Sequence, residues 1–258
     1  MKKRIQLSAV AAIFLSQITV VQAQTFNSVT HIHSVKTFGE RILMGTHEGL
    51  FEFISQNNMS PIGKDPFDVM GLDADKTTLF ASGHPSPGSK LPNPLGLLRS
   101  TDGGKTWKSI SLLGAVDFHS LEVSGNQIYG SNATAGSLMY SNNLGKSWKK
   151  IGALKFSDIA ILSGSPGRAV SLQNGTLLKT TNSFKVTTDL KFKFPISAVE
   201  SIGKELYIAA QDKVYRSLDQ GSSWKLFKSF KGEISDISAS SKQLAVVVGG
   251  EVLIAKLT

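Results

Sequence analysis

The residues of this chain that could do chemistry are five histidines, three carboxylates and one thioether. His31, His33, His47, His84 and His119 all lie in the first half of the sequence, and none follows in the 139 residues after His119. Two or more imidazoles with nearby carboxylates (Asp68, Asp117) suit a late first-row transition metal. A thioether ligand, Met70, would favour copper, whereas histidine with aspartate would suit zinc, iron or manganese. Neutral imidazole is the ligating form, so such binding depends on pH near neutrality. No compact His-Glu-x-x-His spacing is present, and the site exists only if distant segments converge. Two other uses stay open: polar lining with contacts to an organic ligand, or acid/base work by Asp68, Asp117 and Glu48 in a glycoside hydrolase.

Convergence depends on the elements that carry these residues. Short β-rich runs separated by Gly, Asn, Asp and Ser, with no long helical periodicity, predict an all-β chain. The candidate inner strands are His31–Val35, Asp68–Leu72, Asp117–Val123, Ser157–Leu162, Ile196–Ser201 and Ile234–Ala239. Stacking them puts His33, Met70 and His119 in equivalent positions, with Ile159, Ser197 and Ser235 completing the row. His31, Asp68 and Asp117 fall two residues earlier, on the same strand face and nearer the mouth. The second strands repeat the pattern: Ile42 to His47 aligns with Leu79 to His84, so both histidines leave toward one mouth. Between His84 and Gly96 lie four of the eight prolines, a stiff loop expected to wall that mouth.

Internal repetition fixes the architecture. Ser100-Thr-Asp-Gly-Gly-Lys-Thr-Trp107, Ser141-Asn-Asn-Leu-Gly-Lys-Ser-Trp148 and Ser217-Leu-Asp-Gln-Gly-Ser-Ser-Trp224 share one pattern, and a degenerate copy runs from Thr180 to Thr187. Equivalent positions at 53, 100, 141, 180, 217 and 255 are spaced by 47, 41, 39, 37 and 38 residues. Four strands in about 40 residues is one propeller blade, so a six-bladed β-propeller is expected over residues 24–258. The last unit is one strand short, and Gln24–Val29 is expected to supply that outer strand and close the ring.

The boxes resemble the Asp-box, or BNR-repeat, family of propellers, which includes sialidases, sortilin-type receptors and photosystem assembly factors. In the box the Asp or Asn side chain accepts turn N–H groups and Gly supplies a permissive φ. Asp102, Asn143 and Asp219 are therefore read as structural. A narrower resemblance, to a group of exported bacterial Asp-box proteins, covers about 90 residues. It rests on His31-Ile-His33, Thr46-His47-Glu48-Gly49-Leu50-Phe51, Asp68-Val-Met70-Gly-Leu72, Gly83-His84-Pro85, Leu91-Pro-Asn-Pro-Leu-Gly96 and Asp117-Phe-His119. Members are commonly labelled glycosyl hydrolase-like or exo-sialidase-like. A sialidase needs three arginines and an activated tyrosine. Here Arg41, Arg99, Arg168 and Arg216 fall at strand ends away from the proposed mouth, which argues against that activity and leaves other glycosidase chemistry open.

Composition narrows the remaining classes. Residues 1–23, with Met1-Lys2-Lys3-Arg4, an apolar run and Val21-Gln22-Ala23, read as a signal peptide, so the mature protein is expected in a periplasm or the medium. The apolar run is too short for a comfortable membrane span, and with no cysteine, disulfides, Fe–S ligation and thiol catalysis are excluded. The net charge of +9 is spread over single lysines without a basic stripe, which argues against nucleic acid as a partner. The expected partners are a metal ion, copper or zinc, or a small polar ligand, with carbohydrate or a protein partner as alternatives. A monomer is expected. As a protein-interaction scaffold, the third reading, the chain would use an outer face and need no pocket.

Overall fold

The computed structural model describes residues 29–56, 58–152 and 156–257. Blade one is β1 (Ile32–Phe38), β2 (Arg41–Thr46), β3 (Gly49–Ser55) and β4 (Asn58–Ile62). Blade two is β5 (Phe67–Asp75), β6 (Thr78–Pro85), β7 (Leu97–Ser100) and β8 (Lys108–Ser111). Blade three is β9 (Phe118–Ser124), β10 (Gln127–Asn132), β11 (Ser137–Ser141) and β12 (Lys149–Gly152). Blade four is β13 (Asp158–Ile161), β14 (Ala169–Gln173), β15 (Thr176–Thr180) and β16 (Thr188–Asp189). Blade five is β17 (Ala198–Ile202), β18 (Glu205–Ala210), β19 (Lys213–Ser217) and β20 (Lys225–Ser229). Blade six is β21 (Ile234–Ala239), β22 (Gln243–Val248) and β23 (Glu251–Lys256).

Each blade is an antiparallel meander, and no helix occurs among the described residues. The inner strands β1, β5, β9, β13, β17 and β21 contact one another in sequence, and β21 returns to β1. The ring is therefore a six-bladed β-propeller. Blade six has three strands among the described residues, and most of the Gln24–Val29 segment expected to complete it lies outside them, as does the signal peptide.

The six core clusters each lie between two adjacent blades. Val35, Met44 and Phe51 pack on Ala245 and Val247 of blade six, for example, and Leu43 and Leu50 pack on Val69 and Leu79 of blade two. Both faces of a blade are thus buried, which is why β2 and β22 read as continuous apolar runs rather than alternating ones. Burying each such Leu or Val contributes roughly 1.5–3 kcal/mol, so the ring is held mainly by its inter-blade seams.

Side-chain acceptors on inner strands fasten these seams to the next blade's backbone. Asp236 Oδ2 accepts from Val35 N (2.8 Å), Asp158 Oδ2 from Val199 N (2.7 Å) and Glu122 Oε1 from Ile161 N (3.1 Å). The box turns close the outer ends. Asp102 accepts from Ser100 Oγ (2.8 Å), Thr106 N (3.0 Å) and Thr106 Oγ1 (2.6 Å). Asn143 accepts the equivalent bonds from Ser141 Oγ and Ser147 N, and Asp219 those from Ser217 Oγ and Ser223. The hydrogen bonds hold Asp102 and Asp219 down to about 2, the signature of a structural carboxylate.

Candidate functional site

A repeated β-bulge creates the site. On β1 the register steps from Ile32↔Thr46 to Ser34↔Gly45, which leaves His33 unpaired between them. On β5 the step from Val69 to Gly71 does the same to Met70, and on β9 the step from Phe118 to Ser120 does it to His119. On β21 the bulged residue is Ser235. A bulge re-aims one side chain per strand, here around the channel. Gly83 makes room for the bulge in blade two, because a Cβ there would lie 1.8 Å from Asp68 O.

The equivalence of His33, Met70 and His119 read from the sequence therefore holds, as does that of Ser197 and Ser235. Blade four departs from it. Ser157 N and Asp158 both address Leu172, just as Ser197 N and Ala198 both address Ala209, so Ser157 rather than Ile159 occupies the row. The sequence register of blade four is two residues out. Either frame sets an apolar residue against an apolar neighbour, and hydrophobic pattern alone does not separate them.

The histidines gather at one end of the ring, in two groups rather than one. In the first, His33 Nε2 lies 3.1 Å from His47 Nδ1 and 3.2 Å from Asp68 Oδ1, and His47 Nδ1 lies 3.1 Å from Asp68 Oδ2. In the second, Asp117 Oδ2 lies 2.7 Å from His119 Nε2 and 3.5 Å from His84 Nε2. Within each group the ligand atoms all fall within 4.8 Å of one another. His31 belongs to neither; its exposed ring stacks beside His33 and His47, with centroids 4.8 and 5.9 Å away. Met70 is half-buried at its bulge, on the strand between the two histidine-bearing inner strands.

His33 and His119, one from each group, are shifted in opposite directions. Burial, opposed by Asp68 and reinforced by His47, His31 and His119, pushes His33 down to about 4, so its imidazole is neutral at physiological pH. His119 moves the other way, because the hydrogen bond to Asp117 outweighs its burial and the Asp117 and Asp68 charges add to it. Each group feels the other: His119 disfavours the proton on His33, and Asp68 favours the one on His119.

Glu48 stands apart from both groups. Burial works against its charge, but Thr30 donates to Oε1 from its hydroxyl (2.7 Å) and backbone N (3.2 Å) and holds the carboxyl below its usual range. Arg41 pairs with Glu52, Arg216 with Glu205, and Arg168 with Gln220, so these arginines are committed to other partners.

Two features escaped the sequence reading. Asn93, in the proline-rich loop, places Oδ1 2.8 Å from His84 Nδ1; that bond puts the proton on Nδ1 and leaves the Nε2 lone pair for Asp117's side of the site. The loop is itself tied down by Leu95 N to Gly83 O (2.9 Å) and Ser86 Oγ to Pro66 O (2.5 Å). Its one signal in sequence is an Asn fixed between Pro92 and Pro94. The second feature is a charged layer across the channel, three residues along each inner strand from the bulge. Lys36 Nζ lies 2.6 Å from Asp73, 3.1 Å from Glu200 and 3.9 Å from Glu122. Burial acts against the ammonium, but the three carboxylates keep Lys36 charged well above its ordinary range, while burial raises Glu122 and Glu200. On the histidine side of this layer lies a cavity of about 260 Å³, and on the other side one of about 280 Å³; Lys36, Glu122 and Glu200 line both.

Comparison with known proteins agrees with this architecture. Residues 98–109 match the BNR/Asp-box repeat family model, and among curated proteins none matches the chain by sequence. By fold the chain is similar to a Xanthomonas campestris gluconolactonase (TM-score 0.65, 9% identity, 89% of each chain covered). It is also similar to a chain of a nidogen/laminin complex (0.62, 10%, 84% of this chain and 89% of that one). A third likeness is to YCF48 bound to D1 peptide (0.52, 14%, 91% and 81%). At these identities the likeness is one of fold.

Proposed function

We propose that this Asp-box propeller is an exported protein that holds a transition-metal ion, copper or zinc, at the channel mouth over blades one to three. The observation that carries the reading is the pair of two-histidine, one-aspartate groups. His33 Nε2 and His47 Nδ1 lie 3.1 Å apart, near the roughly 3.3 Å edge of a tetrahedron of ligands with bonds of about 2.0–2.1 Å, and each faces a different oxygen of Asp68 at 3.1–3.2 Å. Asp117 Oδ1 is buried without a hydrogen-bond partner among the described residues, as a donor awaiting a cation would be. His33 is already in the neutral, ligating form.

His33, His47 and Asp68 would hold one ion, and His84, Asp117 and His119 the other position, with Asn93 fixing the His84 tautomer. Met70, on the strand between, is the soft donor that would tilt the choice toward copper, and His31 flanks the first group. A bound ion of this kind supplies Lewis acidity and, for copper, one-electron chemistry. The channel sets Asp73, Glu122 and Glu200 around the single Lys36, so a protein that is basic overall gathers carboxyl groups beneath the site.

The test is metal analysis of tag-free protein isolated from the exported fraction. The reading requires stoichiometric metal in the wild type and its loss in His33→Ala/His119→Ala. Metal-free wild-type protein would refute it. The glycoside hydrolase alternative receives less support, because Asp68 and Asp117 are each shared between imidazoles and Glu48 is bound to Thr30. The scaffold alternative draws on relatives in fold that are seen with a peptide or a protein partner, and on exposed Leu226 and Ile254 of the outer strands. A protein partner that still co-purifies with the metal-free double variant would favour it.

A further inference from the structure

The cavity beneath the mouth has two chemically different sides. Blades one to three line it with His31, His33 and His119; at the bulge row of blades four to six stand Ser157, Ser197 and Ser235. The three hydroxyls behave alike. Ser157 Oγ donates to Leu172 O at 3.3 Å, Ser197 Oγ to Ala209 O at 3.3 Å and Ser235 Oγ to Val247 O at 3.5 Å, in each case a carbonyl of its own blade's second strand. Each hydroxyl hydrogen is thus turned into the blade, and the oxygen lone pairs remain for a donor arriving in the cavity. Three consecutive bulges therefore present three acceptors, facing a half-ring of imidazoles across about 260 Å³. That volume is below the roughly 300–1,000 Å³ of drug-sized pockets, and suits a molecule of a few heavy atoms.

Charge narrows the class. Beneath the serines lie Asp158 and Asp236, whose carboxylates already accept backbone N–H groups, and the Lys36 layer with its surplus of carboxylates. The burial that raises Asp158, Asp236, Glu122 and Glu200 shows that this space disfavours added negative charge, so an anion is opposed there, whereas a donor-rich neutral or cationic group is not.

We propose that the serine side binds the organic part of a small amine-bearing metal chelate, such as an amino-acid complex, while the histidine side takes its metal. The inference rests on the metal reading above. The test is equilibrium dialysis of the full protein with copper(II) and isotopically labelled glycine, in parallel with copper(II) and labelled citrate, reading metal and organic label separately. The monoglycinate complex is cationic and keeps free N–H donors; the citrate complex is anionic.

Wild-type protein is expected to retain copper and glycine together and to exclude citrate. Ser157→Ala/Ser197→Ala/Ser235→Ala is expected to keep its copper while its affinity for glycine falls about tenfold, the equivalent of losing one or two neutral hydrogen bonds. The single variant Ser197→Ala, checked by circular dichroism, gives the same comparison with an expected loss of about threefold if the triple variant does not fold. Copper without glycine, glycine retained equally by the serine variants, or citrate preferred to glycine each overturns this inference and leaves the metal reading standing. No copper in the wild type overturns this inference, and a parallel dialysis with zinc that also retains no metal overturns both.

Discussion

Asn93 Oδ1 lies 2.8 Å from His84 Nδ1, so a loop residue sets the tautomer of a histidine nine positions earlier. If the proposed metal site exists, Asn93→Ala is expected to leave the propeller folded and to weaken binding at the His84–Asp117–His119 group by about 10–100-fold, the usual effect of removing an outer partner of a ligating histidine. Asn93→Asp keeps the acceptor and is expected to recover most of the affinity. Titration against a competing chelator checks both.

The part-buried Asp236 gives stability a pH dependence of definite sign. Its carboxyl is pushed up to about 7, chiefly by burial and against two backbone hydrogen bonds. Between its ordinary value of 3.8 and about 7 the folded state holds a proton that the unfolded state has released. This contribution is complete below the lower value and is lost as pH rises through the upper one. The wild type is therefore expected to lose up to a few kcal/mol relative to Asp236→Asn on going from about pH 4 to about pH 7. Urea midpoints of the two proteins across that range measure the difference in slope, whatever the offset between them.

Lys36 is the one ammonium among Asp73, Glu122 and Glu200. Lys36→Met leaves those carboxylates uncompensated and is expected to cost about 3–5 kcal/mol near neutral pH. The deficit is expected to shrink in acid, where the carboxylates are protonated in the variant. A deficit that stays constant with pH in urea denaturation would mean lost packing rather than lost charge compensation.

The box carboxylates make a contrasting case. Asn143 accepts the same turn bonds as Asp102 without a negative charge. Asp102→Asn is accordingly expected to melt within a degree or so of the wild type, and Asp102→Ala a few degrees lower. Calorimetric scans of the two variants decide whether the acceptor or the charge matters.

The sequence made the architecture readable because the repeat unit is also the folding unit: each Ser-x-Asp or Ser-x-Asn box marks one blade end, and the spacing counts the blades. It also made the meeting of His33, His47, His84 and His119 readable, since a residue's height on an inner or second strand fixes its height in the ring. The division into two groups was not readable, because it depends on whether Asp68 or Asp117 reaches a given imidazole, a matter of ångströms set by the bulges. The true register of blade four was hidden because Ile159 and Ile161 each fit the apolar position two residues after the bulge, held by Val35 in blade one and Val199 in blade five. Lys36 was hidden too: set singly between Val35 and Thr37 it has the sequence signature of an ordinary solvated lysine, and only ring closure brings Asp73, Glu122 and Glu200 around it.

The Lys36 layer has a consequence for traffic. Because Lys36, Glu122 and Glu200 bound the spaces on both sides, a charged layer stands across the axis between the histidine end and the far end of the ring. A solute held by the histidines would have to pass that layer to leave by the far end, which favours departure by the mouth. Residence time is then governed at the rim, where the segment from His84 to Gly96 stands, and substitutions in that segment should alter release rates even where they leave equilibrium affinity untouched.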